Sequence, residues 1–397
     1  MTPLTKLFLR FVGQTSPTPM SIEVTKAEGI YLYTPEGKRY TDLISGVSVS
    51  NVGHGNKEVV EAICKQANDY LHLMVYGEMI QTPQVSYAQK IGRYLPEGID
   101  CVYFVNSGSE AIEGALKLAK RYTGRTELIS FKNAYHGSTH GALSMMGSEY
   151  YKNAFRPLLT DVRQLEFNNT EMLSSITERT AAVLIEPIQG EGGYRIPSRE
   201  FLQALRKRCT ETGAILIFDE IQTGFGRTGK MFAWEYFGVT PDIIAMAKAM
   251  GGGMPLGGFA ASYEMMNTLT FNPVLGHITT FGGHPVCCAA GMAAMEYILK
   301  NRLMEQVEEK SALFEKRLIS HKSIKEIRRA GLMIAVDFGN NTYRDKVVAK
   351  AVEKGIVTEG FLFCDTAMRI APPLTITTEQ IEEISAILLQ AMDEADE

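Results

Sequence analysis

Lys248 stands where an amine is costly to keep. It closes Pro241-Asp242-Ile243-Ile244-Ala245-Met246-Ala247-Lys248, and Gly251, Gly252 and Gly253 follow shortly after. A lysine at the end of a buried apolar strand carries a desolvation cost unless it has a partner or a task. The glycines clear side chains from the place where a ligand would need room. Burial lowers an amine's pKa and makes it nucleophilic, so this residue suits Schiff-base formation with an aldehyde. Taken alone, the same pattern also describes a strand-end lysine that reaches solvent beside a glycine turn.

Other residues bear on that choice. Asp219 ends a second apolar run, in Phe218-Asp219-Glu220-Ile221-Gln222. A carboxylate there needs a cation, and a protonated pyridine nitrogen would serve. Gln222 follows closely enough to reach a neighbouring phenolic oxygen. Glu186-Pro187 ends another run at the same sheet edge. Tyr135-His136 comes after the strand ending at Phe131 and offers an aromatic face for stacking on a ring. Asn106-Ser107-Gly108-Ser109-Glu110 follows a strand and opens a helix, so backbone N–H groups and a hydroxyl together make an anion site. Ser109 is also a fair N-cap, which would account for it without any ligand.

Two other patterns fail on inspection. Gly224 to Lys230 fits a nucleotide-binding P-loop through its Gly-Lys, but Met231 occupies the required Ser/Thr position. His136 and His140 have helical spacing, yet glycines surround them and no third ligand is near, so no metal site is expected.

These residues need a sheet to position them. The chain of 397 residues is long enough for two domains. Hydrophobic residues make up 45%, the share of a globular protein with a large core. A net charge of −5 gives no reason to expect nucleic acid or an anionic membrane as partner. No apolar run approaches the roughly 18 residues of a membrane span, and the N-terminus lacks a signal peptide's apolar core and cleavage site. Six scattered cysteines, two of them adjacent at Cys287 and Cys288, fit reduced thiols in the cytoplasm.

Gly29 to Asp42 reads as strand–turn–strand around Pro35-Glu36-Gly37, and Glu58 to Leu71 as an amphipathic helix. Strands then alternate with helices. Strands are expected at Val102 to Val105, Glu127 to Phe131, Ala182 to Ile185, Ala214 to Phe218, Ile243 to Met246 and Gly258 to Ala261; helices at Glu110 to Tyr122 and Arg199 to Thr212. This rhythm predicts a mostly parallel sheet between helices. Its ligand crevice would lie beyond the carboxyl ends of the strands, where the polar residues above cluster. After Pro285 come helices Val286 to Lys300 and Glu305 to His321, a strand Met333 to Asp337, a helix Arg344 to Lys354 and a last helix from Thr378. These make a smaller α+β unit.

Six motifs occur in order. They are Asn106-Ser107-Gly108-Ser109-Glu110-Ala111, Glu186-Pro187-Ile188-Gln189-Gly190-Glu191, Asp219-Glu220-Ile221-Gln222-Thr223-Gly224, Ala247-Lys248, Thr280-Phe281-Gly282-Gly283 and Arg369-Ile370-Ala371-Pro372-Pro373-Leu374. In this order they resemble the class III aminotransferases, pyridoxal-phosphate enzymes of fold type I, and the likeness runs from Gly29 to Thr377. The resemblance implies a large domain with a mostly parallel, mixed seven-stranded sheet over residues 61–285. A smaller α+β domain would be built from 1–60 and 286–397. It implies that Lys248 holds pyridoxal 5'-phosphate as a Schiff base and acts as base and acid, while Asp219 pairs with the ring nitrogen. Gln222 would touch the ring oxygen, Tyr135 stack on the ring, and Gly108 and Ser109 bind the phosphate; Glu186 belongs to the same cofactor shell. Thr280 would reach the phosphate of a neighbouring subunit, which implies a homodimer with shared sites. Arg369 resembles the family's arginine for a substrate carboxylate, and Glu191 the gate residue paired with it.

The nearest branch resembles the acetylornithine and ornithine aminotransferases, which implies a terminal-amine donor and 2-oxoglutarate as acceptor. Where that branch commonly carries an arginine after its aromatic-His-Gly stretch, this chain has Ser138. Where ornithine aminotransferases commonly carry a tyrosine, it has Val47. Both departures are expected in the substrate pocket and leave the cofactor residues intact. An isomerase of the same fold, such as an aminomutase or racemase, and a non-catalytic cofactor-binding protein are the rival readings.

Overall fold

The strand Thr180–Ile185 is buried at every residue, as its apolar run over residues 181–185 requires. It lies inside a seven-stranded sheet in the computed structural model, which describes residues 2–396. The strand order is Cys101–Val105, Gly257–Ala261, Ile243–Met246, Ile215–Asp219, Thr180–Ile185, Glu127–Phe131 and Val162–Leu165. The last five run parallel to one another. Gly257–Ala261 runs antiparallel to both of its neighbours, so the sheet is mixed as expected.

Alternate residues of one strand serve opposite layers. Ile215 and Ile217 pack with Ala111, Ile112 and Ala115 of the helix Gly108–Thr123. Leu216 and Phe218 pack with Phe201, Leu202 and Leu205 of the helix Arg199–Thr212. Each such side chain contributes about 1.5–3 kcal/mol on leaving water. Gly114 lets the first helix approach closely: a Cβ there would come within 2.2 Å of the Phe259 ring. That contact accounts for a glycine inside a helix, where it costs about 1 kcal/mol relative to alanine.

Several elements carry weak sequence signals and were not anticipated. The edge strand Val162–Leu165 holds Arg163 and Gln164, and only Leu165 is buried. The helix Thr82–Gly92 starts on a Thr-Pro step. The second helix after Pro285 spans Leu303–Leu318, not Glu305 to His321, because the chain turns at Ile319 and the His321 N–H bonds back to Leu318. Met333–Asp337 has partners on both sides, Glu326–Ala330 and Ala367–Ile370. Among the described residues no helix is long and apolar enough to cross a membrane.

The two ends of the chain are built into one another. Ile356–Val357 pairs in parallel with Arg39–Asp42. The Ala371 N–H donates to Leu43 O at 2.7 Å, and Ser45 Oγ donates to Ala371 O at 2.6 Å. Arg227, fully buried, donates to Pro372 O at 2.5 Å and to Leu332 O at 3.2 Å, and also to Asn51 Oδ1. Burial among these neutral acceptors pushes its pKa down to about 10. The helix Pro285–Lys300 shares a core with Tyr87 and Ile91, and a Cβ on its Gly291 would come within 2.2 Å of Met250 O.

Candidate active site

The strands deliver their polar residues to one edge. Glu186 follows Ile185, Asp219 ends its strand, Lys248 lies just beyond Met246, and Tyr135-His136 follows Phe131. With Gly108, Ser109, Glu191 and Gln222 they line one cavity of about 480 Å³. Asn106, Val49, Ile221 and the segment Met254-Pro255-Leu256 complete its wall.

Lys248 opens a tight turn with φ +52, and Gly252 and Gly253 follow at +61 and +102. A lysine in the left-handed region is uncommon and is held by its surroundings. Burial lowers its pKa to about 8, with Glu191 opposing that fall. An amine at that value is a usable nucleophile and base near neutral pH.

Asp219 has a partner that the sequence reading did not assign. His136 Nδ1 lies 2.7 Å from Asp219 Oδ2, and the Ile221 N–H donates to Oδ1 at 3.1 Å. Both side chains are buried. His136 therefore serves a carboxylate, and it was overlooked because its local sequence recommends only a metal pair. The usable signal was the need of Asp219 for a partner, with Tyr135-His136 emerging from the same sheet edge. Glu186 accepts from the Tyr135 N–H at 3.1 Å and the Gly190 N–H at 2.9 Å. Burial, with the charge of Asp219 added, raises its pKa well above the ordinary carboxylate range.

At the helix start the cap is Ser107, whose Oγ accepts from the Glu110 N–H at 3.2 Å. The capping explanation for Ser109 thus falls away. Its hydroxyl faces the cavity rim and accepts from the Ser138 N–H at 3.2 Å. Ser138 itself is exposed, with Oγ 3.3 Å from Tyr135 Oη.

Arg369 is 1% exposed, and its Nη2 lies 2.7 and 2.8 Å from the two oxygens of Glu191. Burial works against the Glu191 carboxylate, but Arg369 outweighs it and holds its pKa below the usual range. The Leu362 N–H also donates to Glu191 Oε2 at 3.2 Å. Phe361 covers the guanidinium at 4.5 Å. Thr280 stands apart: it is exposed and does not line this cavity.

These groups fit pyridoxal phosphate. The helix Gly108–Thr123 presents free N–H groups to an anion. Gln222 Oε1 and His136 Nε2 are buried without hydrogen-bond partners. A Cβ on Gly108 would come within 3.0 Å of Ile221, so a larger residue would crowd the place where a phosphate would sit.

The aminotransferase class-III family model matches residues 12–392. Acetylornithine aminotransferase of Methanocaldococcus jannaschii is 38% identical, over 94% of this chain and 93% of that one. The [LysW]-aminoadipate semialdehyde/glutamate semialdehyde transaminase of Sulfolobus acidocaldarius is also 38% identical, over 94% of this chain and 95% of its own. Among solved structures, a transaminase from the marine bacterium Virgibacillus superposes with a TM-score of 0.93 at 28% identity, covering 99% of each chain. With the motifs in order and a cavity that suits the cofactor, this chain belongs to the class III aminotransferases and is a pyridoxal-phosphate-dependent transaminase.

Proposed function

We propose that the enzyme moves a terminal amino group from an acetylornithine- or ornithine-like donor to 2-oxoglutarate. The observation that carries this reading is the buried Glu191–Arg369 pair beside the lysine cavity. A fixed arginine suits the α-carboxylate of an oxo acid. A carboxylate that covers it lets the same pocket accept a donor with no carboxylate at the reacting carbon. The acetylornithine aminotransferase relatives support the same donor class.

Pyridoxal phosphate, when bound, supplies the electron sink for negative charge on the donor carbon. We assign Lys248 as its covalent anchor. Freed from the cofactor, Lys248 Nζ would take a proton from the donor carbon and deliver it to the carbon on the far side of the nitrogen, as base and then acid. Asp219, held by His136, would pair with the ring nitrogen and favour a proton there. Ser109 and the helix start would hold the phosphate, Gln222 would meet the ring oxygen, and Tyr135 would stack on the ring. Glu186 orders the Tyr135 and Gly190 backbone from behind.

We further propose a homodimer in which Thr280 of one copy completes the other's phosphate site. Phe281, next to Thr280, is exposed, and its ring lies 4.8 Å from that of His72, which is flanked by exposed Leu71 and Leu73; Met74 and Ile80, further along the same segment, are exposed too. Exposed apolar side chains gathered in this way call for a partner. We place the enzyme in the cytoplasm, where its six free thiols stay reduced.

The test is a panel of ω-amine donors with 2-oxoglutarate, reading glutamate formed and the absorbance of the cofactor. Glutamate formation from acetylornithine-like donors is expected. Catalytic isomer formation without glutamate would overturn the reading in favour of an isomerase.

A further inference from the structure

Arg369 has a second carboxylate beside it. The main chain fixes the neighbours: the Arg369 N–H donates to Glu359 O at 2.8 Å, and Thr358 Oγ1 donates to Arg369 O at 2.6 Å. Glu359 Oε1 lies 3.8 Å from Arg369 Nε, within ion-pair reach but too far for a hydrogen bond. Glu191 engages Nη2 alone, while Nε and Nη1 are buried without hydrogen-bond partners. The charged groups that bear on Glu359 are Arg369, Glu191, Asp42 and Lys248.

The inference rests on the aminotransferase reading above. An acceptor carboxylate can take Arg369 only if Glu191 gives up Nη2. At that moment the guanidinium keeps its packing against Phe361 and Tyr194 but has no internal hydrogen-bond partner to set the tilt of its fork. We propose that Glu359 is a positioning residue for Arg369: it takes the Nε–H when Glu191 withdraws and keeps the outer edge of the fork turned toward the acceptor. Its main chain is already in place, so side-chain torsions alone close the gap. Arg369 would then pass between two internal carboxylates, Glu191 covering it for the donor and Glu359 steadying it for the acceptor.

Steady-state kinetics of the holoenzyme with Glu359→Ala and Glu359→Gln test this, using the best donor from the panel and 2-oxoglutarate. A hydrogen bond to a charged group is worth tenfold or more when buried, and the partial exposure of Glu359 trims this to about five- to tenfold. Glu359→Ala should raise the KM for 2-oxoglutarate by that factor and leave the donor KM within about twofold. Glu359→Gln, whose amide oxygen still accepts from Nε, should recover most of the loss. A lower acceptor KM in both variants would overturn the proposal, since it would mean that Glu359 repels the acceptor. So would unchanged kinetics, or an equal rise in both KM values with a lower Tm. A parent enzyme that forms no glutamate would remove the aminotransferase reading itself; an active parent with an unaffected alanine variant would remove only the role of Glu359.

Discussion

Cutting Arg369 back to alanine takes the cation away from a carboxylate that has little water to replace it. Arg369 is 1% exposed, and both oxygens of Glu191 lie within 2.8 Å of Nη2. Breaking such a pair on one side costs about 3–5 kcal/mol, because a charge is left buried and alone. Arg369→Ala should therefore lower Tm, and adding Glu191→Gln should recover part of the loss by removing that charge. The kinetic effect is separate. A desolvated arginine–carboxylate contact is worth about 2–5 kcal/mol when truncated, which is roughly 30-fold or more in affinity. The KM for 2-oxoglutarate should rise by at least that factor in both the single and the double variant. The donor KM should stay within about threefold, since the donor makes no carboxylate contact there. Ping-pong kinetics with each substrate varied in turn give both constants. Glu191→Gln alone should move preference toward α-amino donors by leaving Arg369 open. Equal losses for donor and acceptor in the double variant would refute the argument and reduce the pair to a structural tie.

Four further outcomes follow from the site. Lys248→Ala should fold and bind the cofactor weakly, with turnover reduced on the order of 10²–10⁴-fold or more; near-normal turnover would end its assignment as anchor and base. Because burial lowers the Lys248 pKa to about 8, cofactor reloading onto the apoenzyme should speed up as pH rises through about 8 and level off above it. The buried ammonium disfavours the folded apoenzyme at pH values below that point. Asp219→Asn should keep the cofactor through its phosphate contacts but slow the proton shift in single-turnover kinetics; an unchanged rate would show that Asp219 does not face the ring nitrogen. His136→Phe removes the 2.7 Å contact to Asp219 while keeping bulk. It should lower kcat about tenfold with little change in either KM, and a loss of stability without a kinetic effect would count against this role.

What could be read from the sequence follows from how each signal arises. The buried parallel strands announce themselves, because a strand covered on both faces is apolar along most of its length, as residues 181–185 are. The edge strand Val162–Leu165 needs no such run and gives no such sign. Lys248 and Asp219 stand out because ionisable groups at the ends of apolar runs demand a reason. His136 did not, since its reason lies on another strand. Glu359 was missed for a different reason: it precedes Arg369 closely in sequence, but in a stretch with no regular element, and no pattern there shows that the chain turns back to bond the Arg369 N–H to Glu359 O. Ser109 was only half legible. The helix start was visible, but which serine capped it depended on a shift of two residues.

The interleaving of the chain's two ends has a consequence for synthesis. Val49 lines the cavity, and the segment leading to it is fastened by Ala371 through Leu43 and Ser45. On a ribosome adding about 5–20 residues per second, tens of seconds pass between making the first of these residues and the last. Through that interval the cavity lacks a wall, and Arg227 waits for the carbonyl of Pro372. The large sheet can assemble early from its own strands, but the cofactor meets a finished site only once the segment around Ala371 has been made. Nascent chains arrested before Ala371 should therefore hold a formed sheet and no tight grip on pyridoxal phosphate. Capture of the cofactor then waits for the segment around Ala371, long after the sheet strands have been made.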